Sequence, residues 1–206
     1  GEGMSAKGKR SAVIKRVTGE TDVAIKLLVD GGGKSSIATG VPFFDHMLTL
    51  FAKHALFDFD VKVKGDTHVD FHHTVEDTGI VLGQALAKAL GDKKGLVRYG
   101  HFLLPMDETL VRVALDFSGR PLLVWRAPKT TNLDRLRAGD FPAQLTVEFL
   151  RAFAQEAGLT LHVEVLYSSE THHLIEAVFK GLARALEQAV RRDPRVTGVP
   201  STKGML

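Results

Sequence analysis

His72-His73-Thr74-Val75-Glu76-Asp77 and His172-His173-Leu174-Ile175-Glu176-Ala177 lie 100 positions apart in a chain of 206 residues. The shared His-His-x-x-Glu pattern uses four of the nine histidines in two identical arrangements, so something in this protein is built twice. On a helix, positions i and i+4, or i and i+3, share a face, so His72 and His73 can each share a ligand with Glu76. Adjacent imidazoles diverge by about 100° around the axis, which suits two metal ions or one metal on each of two neighbouring surfaces. Imidazole nitrogen with carboxylate oxygen fits Mn, Fe or Zn better than Ca or Mg. One isolated His-His pair is more often the polar edge of a packed face; two copies in matching surroundings favour ligands.

Outward from the motifs, each opens a helix of the same design. Leu82, Ala85, Leu86 and Ala89 form an apolar stripe behind the first copy, which Gly91 stops, and Leu182, Ala185, Leu186 and Ala189 stand in the same places behind the second. The predicted helices span residues 72–90, with 69 as an alternative start, and 172–191. Further matches keep an offset of 102: Leu48-x-x-Phe51-Ala52 with Leu150-x-x-Phe153-Ala154, and Val61-x-Val63 with Val163-x-Val165. Period predicts further helices over 43–55 and 145–157 and half-buried strands over 57–63 and 159–166. Residues 13–17 and 23–29 read as a hairpin, 36–39 as a short strand, and 110–115 and 122–125 as strands around the turn Ser118-Gly119-Arg120-Pro121. Tandem duplication of a β-β-(β)-α-β-α unit explains this, an α+β fold whose helices cover one face of each sheet. The expected division is a mobile end over 1–10, repeats over 11–97 and 98–193, and a tail over 194–206.

An apolar fraction of 44% and a charged fraction of 25% are those of an ordinary globular protein. No apolar stretch is long enough to cross a bilayer, and a cytoplasmic protein is expected. With no cysteine, disulfides, thiolate metal sites and cysteine nucleophiles are excluded, and any metal must be held by nitrogen and oxygen. The net charge of +3 favours an anionic substrate and argues only weakly for nucleic acid. No Walker or Rossmann glycine loop speaks for ATP or NAD.

His46 begins the helix ahead of the first motif, and Glu148 stands at the corresponding place of the second half. The candidate ligands are therefore His46, His72, His73 and Glu76 in one repeat and Glu148, His172, His173 and Glu176 in the other. Asp45 or Asp77 is expected to hold an imidazole through its second ring nitrogen. Arg98, Arg120, Lys180 and the tail Pro200-Ser201-Thr202-Lys203-Gly204 are the cations and hydroxyls that suit a phosphate, although singly each reads as a surface charge.

These residues resemble the imidazoleglycerol-phosphate dehydratase family. The resemblance rests on Phe44-Asp45-His46-Met47-Leu48 with His54, on His72-His73-Thr74-Val75-Glu76-Asp77, on Arg98-Tyr99-Gly100, Asp107-Glu108 and Ser118-Gly119-Arg120-Pro121, and on the second His-His-x-x-Glu and the tail. It implies removal of water from imidazole glycerol phosphate to give imidazole acetol phosphate in histidine biosynthesis. It also implies two Mn ions per active site on the eight ligands named above, and tandem repeats of the fold of the second domain of ribosomal protein S5. The assembly it implies is a 24-subunit particle with active sites shared between subunits. Glu20 matches the family's acid/base carboxylate; His54, Arg98, Arg120, Lys180, Ser201, Thr202 and Lys203 match substrate or phosphate contacts, with His54 grouped beside Glu20 as catalytic. The family commonly has histidine where this chain has Glu148, and glutamine where it has Leu50. Glutamate still ligates Mn, whereas Leu50 donates no hydrogen bond.

The hydrogen to be removed lies on a carbon with no neighbouring carbonyl. A substrate imidazole bound to metal through both ring nitrogens would expel the neighbouring hydroxyl, after which a base takes the carbon-bound proton. Two rivals stay open at this point: a dinuclear metallohydrolase acting on a phosphoester, and an S5-like RNA binder with a structural metal, the latter poorly served by two Tyr and one Trp.

Overall fold

A computed structural model describes residues 8–206. β1 (Ser11–Val17) and β2 (Thr21–Leu28) form the predicted hairpin. β3 (Ser35–Ala38), α1 (Pro42–Ala55), β4 (Asp58–Gly65) and α2 (His72–Leu90) follow. β4 lies antiparallel to β2 and parallel to β3, so the sheet order is β1-β2-β4-β3. The second half runs β5 (Tyr99–Met106), β6 (Thr109–Asp116), β7 (Leu122–Arg126), a small hairpin of β8 (Arg137–Ala138) and β9 (Phe141–Pro142), α3 (Gln144–Ala157), β10 (Thr160–Tyr167) and α4 (Thr171–Ala189). Its sheet order, β5-β6-β10-β7, repeats the first. Register agrees as well: Val23 pairs with Val63, and Val111 with Val165. The α+β duplication is thus present in topology and in register.

One element differs from expectation. β5 was not anticipated, because Pro105 and the exposed Leu103 interrupt its alternation; at a sheet edge Pro is tolerated, since no ladder donor is needed there. β6 and β7 are the strands expected on either side of the Ser118–Pro121 turn, but they do not pair with each other. β7 instead pairs in parallel with β10, and α3 is the crossover such a connection requires.

Alternation places Val23, Ile25, Leu27, Val61, Val111, Val113, Leu161 and Val163 in the core, with Lys62 and Lys64 on the opposite face. α2 covers β1, β2 and β4, α4 covers β5 and β6, and the helices meet across the halves, α1 on α4 and α2 on α3. The helices therefore form the middle of a layered sandwich. Phe44, Phe149 and Phe179 pack together there with ring centroids 5.2–6.4 Å apart, and each contributes roughly 1.5–3 kcal/mol by burial. α2 approaches α3 closely through Gly79 and Gly83; a Cβ on Gly83 would stand 2.7 Å from the Phe153 carbonyl oxygen.

The loose end expected over residues 1–10 lies outside the described residues as far as position 7. Arg10 departs from that expectation: its buried guanidinium grips Asp30 and donates to the Val190 carbonyl at 2.7 Å. Among the described residues no helix is long and apolar enough to cross a membrane.

Candidate metal centre and anion pocket

Both motifs occupy the first turns of their helices, where backbone N–H groups lack intrahelical partners. Asp70 accepts from His72 N at 2.8 Å, and the Glu170 side chain, at the N-cap of α4, accepts from His173 N at 2.7 Å. The i, i+4 spacing acts as expected: His72 Nε2 lies 3.2 Å from Glu76 Oε2, and His172 Nε2 lies 3.0 Å from Glu176 Oε2.

Helix packing decides which donors converge. Because α1 lies on α4, His46 joins His172 and Glu176, with ligand atoms all within 4.8 Å of one another. The cluster therefore crosses the repeats, which spacing along one helix cannot report, since it says nothing of which helix lies beside it. The nitrogen and carboxylate chemistry of this set fits Mn, which these three residues would hold. Glu176 is nearly buried, which alone would raise its carboxyl pKa, yet Lys180 Nζ at 2.6 Å and His172 hold it below the usual range. Glu176 is thereby kept as an anion.

His73 and His173 are held differently. His73 Nδ1 is 2.8 Å from Asp66, and its Nε2 is 3.7 Å from Glu20. His173 Nδ1 is 2.9 Å from Glu108, with Asp107 at 3.8 Å from Nε2. The hydrogen bonds that His73 and His173 donate to Asp66 and Glu108 raise the pKa of the two histidines, and both carboxyls are lowered in return. Neither Asp45 nor Asp77 takes the imidazole-holding role expected of it. Asp45 accepts from Thr39 N at 2.9 Å, securing the loop into α1; Asp77 accepts from Thr21 and pairs with Arg16 at 3.0 Å. Asp66, just past the end of β4, carries no sequence motif, and Asp107-Glu108 has no role legible from its motif; the hydrogen bonds of the folded chain identify both positions.

Glu148 is engaged by Arg151 at 2.6 Å and Gln144 at 3.3 Å, outside the converged set. Leu50 packs half-buried against the core. His54, half-buried at the end of α1, has its pKa lowered by burial and by the charges of Lys180 and Arg184, which favours the neutral imidazole.

Arg98, Arg120, Ser201, Thr202 and Lys203 line one open hollow of about 590 Å³, while Lys180 and His54 lie apart from it, with Lys180 on Glu176. Arg98 has a positive φ of 79°. Its guanidinium is committed to Asp116 at 2.7 and 3.2 Å and to the Pro200 carbonyl at 2.7 Å, so it anchors the tail. That leaves Arg120 and Lys203 as the cations facing the hollow.

The family model described as imidazoleglycerol-phosphate dehydratase matches residues 39–186. The chain is 60% identical to the dehydratase of Methylorubrum populi, covering 96% of this chain and all of that one. To the enzyme of Acetivibrio thermocellus it is 58% identical, over 96% of this chain and 99% of that one. The crystal structure of the Staphylococcus aureus dehydratase superposes with a TM-score of 0.78 at 40% identity, covering 89% of this chain and 99% of the other. That from Pyrococcus furiosus also gives 0.78, at 35% identity over 94% of this chain and all of the other. With topology, ligand-type residues and relatives in agreement, the chain belongs to the imidazoleglycerol-phosphate dehydratase family.

Proposed function

We propose that this chain removes water from imidazole glycerol phosphate to give imidazole acetol phosphate, as a carbon–oxygen lyase of L-histidine biosynthesis acting in the cytoplasm with two Mn ions per active site. The observation that carries the metal reading is the convergence of His46, His172 and Glu176 from two repeats. His72, Glu76, His73, His173 and Glu148 would complete the donor sets, Glu148 after release from Arg151. When bound, the ions supply Lewis acidity and a template for the imidazole ring.

The chain's own residues divide the remaining work. Arg120, Ser201, Thr202 and Lys203 bind the phosphate of a substrate whose ring is held by a neighbouring subunit, since they lie at the opposite end of α4 from His172, and the Arg98–Pro200 contact holds the tail at that end. Glu20, in the β1–β2 turn and 3.7 Å from His73 Nε2, takes the carbon-bound proton; His54, whose lowered pKa suits a proton acceptor, is the second candidate base. In this reading residues 11–97 and 98–193 are the two repeats, and residues 194–206 complete the anion end. A 24-subunit assembly with shared sites belongs to the same proposal, supported by the exposed apolar Val13, Val17, Leu103 and Leu122, which self-association would cover. Family membership favours this reading over the hydrolase and the RNA binder.

The test is to chelate the protein, add imidazole glycerol phosphate with and without Mn, and follow the ketone product. Dehydration that depends on added Mn is expected; no metal-dependent product would reject the proposal.

A further inference from the structure

Glu108 takes no part in the ligand set above, yet its position in the fold is informative. The pairings Val23–Val63 and Val111–Val165 make Glu108 the counterpart of Glu20, and Thr109 the counterpart of Thr21. The counterparts do different things. In the first repeat the buried Thr21 hydroxyl donates to Asp77, and Glu20 keeps a half-exposed carboxylate 3.7 Å from His73 Nε2. In the second repeat the place of Asp77 is taken by Ala177, which has no acceptor. The buried Thr109 hydroxyl instead donates to Glu108 Oε1 at 3.1 Å, with Ser168 Oγ 2.7 Å from it. Glu108 Oε2 lies 2.9 Å from His173 Nδ1. One oxygen is thus secured from below and the other is aimed at the ring.

We propose that Glu108 is a positioning residue: it accepts the Nδ1–H of His173 and so fixes the tautomer and ring orientation that leave Nε2 as the metal donor. Asp66 stands in the same relation to His73, at 2.8 Å. The duplication thereby yields one half-exposed carboxylate, Glu20, for proton transfer and one carboxylate bonded through both oxygens, Glu108, for ligand orientation. Ala177 in place of Asp77 is the substitution that separates them. This rests on the metal-dependent reading above. A partner of this kind on the ring nitrogen opposite the metal is worth about 10–100-fold in metal affinity. The competing arrangement is an ion held directly by Asp107, Glu108 and His173, whose ligand atoms also lie within 4.8 Å of one another.

Titration of chelated, assembled protein with Mn(II), followed by the electron paramagnetic resonance of the free ion, separates these cases. Glu108→Ala is expected to weaken binding about 10–100-fold with the number of ions per chain unchanged. Glu108→Gln, whose amide oxygen still accepts from Nδ1–H, recovers most of that loss, whereas the charged but shorter Glu108→Asp recovers less. Wild-type affinity in Glu108→Ala overturns the proposal. So does loss of one ion per chain in Glu108→Ala and Glu108→Gln alike, which would make Glu108 a ligand. If Glu108→Ala fails to fold, as judged by thermal melting of the metal-free protein, the order of the Gln and Asp variants decides, and Asp binding tighter than Gln overturns it. A wild-type protein that takes up no Mn would instead sink the metal-dependent reading itself.

Discussion

The imidazoles of His46 and His172 meet edge-on with ring centroids 6.3 Å apart, although they belong to different repeats. Packing of α1 on α4 brings them together, so the cluster with Glu176 exists only once both halves are folded. His46 is exposed and little packing rests on it. His46→Ala should therefore leave the melting temperature of the metal-free protein within a few degrees, while Mn affinity falls by more than the roughly 10–100-fold that loss of an outer-sphere partner costs. Paired thermal melts and Mn titrations check both halves of this outcome.

Glu20→Gln keeps the size of the side chain and removes its basicity. With Glu20 as the proton shuttle, turnover should fall about 10²–10⁴-fold, the usual worth of one general acid or base. The phosphate contacts lie elsewhere, so KM should change little. Steady-state kinetics on imidazole glycerol phosphate measures both, and near-normal turnover would remove Glu20 from the mechanism.

What was legible in the sequence follows from what each signal depends on. The doubled His-His-x-x-Glu and the shared stripe Leu82-Ala85-Leu86-Ala89 are local, periodic features, so duplication, helix positions and ligand types could be read directly. The meeting of His46 with Glu176 depends on which helices pack together, which no local period encodes. The kinship of Glu108 with Glu20 was hidden because the two hairpins lie at a different offset from the two motifs, and strand register was needed to reveal it. Asp45 and Asp77 were reasonable partners for an imidazole by proximity in sequence. Thr39, six residues away in the loop ahead of α1, and Arg16, on β1, claim them instead.

Gly83→Ala tests the packing that unites the halves. On a free helix the change would stabilise by up to about 1 kcal/mol through propensity. Here the new Cβ would stand 2.7 Å from both the Phe153 carbonyl oxygen and the Glu156 Cβ, so α2 must move off α3. Net destabilisation of about 1–3 kcal/mol is expected, read as a lowered midpoint in urea unfolding of the metal-free protein. A raised midpoint would mean that the two helices separate at little cost.

The Arg10–Asp30 pair fixes the first strand to the end of α4, and its pH dependence has a definite sign. Nε and Nη2 of Arg10 engage the two oxygens of Asp30 at 3.1 and 2.7 Å, and Nη1 donates to the Val190 carbonyl. The hydrogen bonds from this guanidinium hold the Asp30 carboxyl below its ordinary value, against the opposing effect of burial. A carboxyl lowered in the folded state stabilises above its unfolded pKa of about 3.9 and loses that contribution as pH falls through the folded value. The melting-temperature advantage of wild type over Asp30→Asn should therefore be constant above about pH 5 and shrink steadily below the unfolded pKa. Arg10→Lys should not substitute for Arg10, because an ammonium cannot engage both carboxylate oxygens and the Val190 carbonyl in the same fork geometry. Melting curves of the three proteins from neutral to acid pH supply the measurement; an advantage that grows on acidification would contradict the pairing.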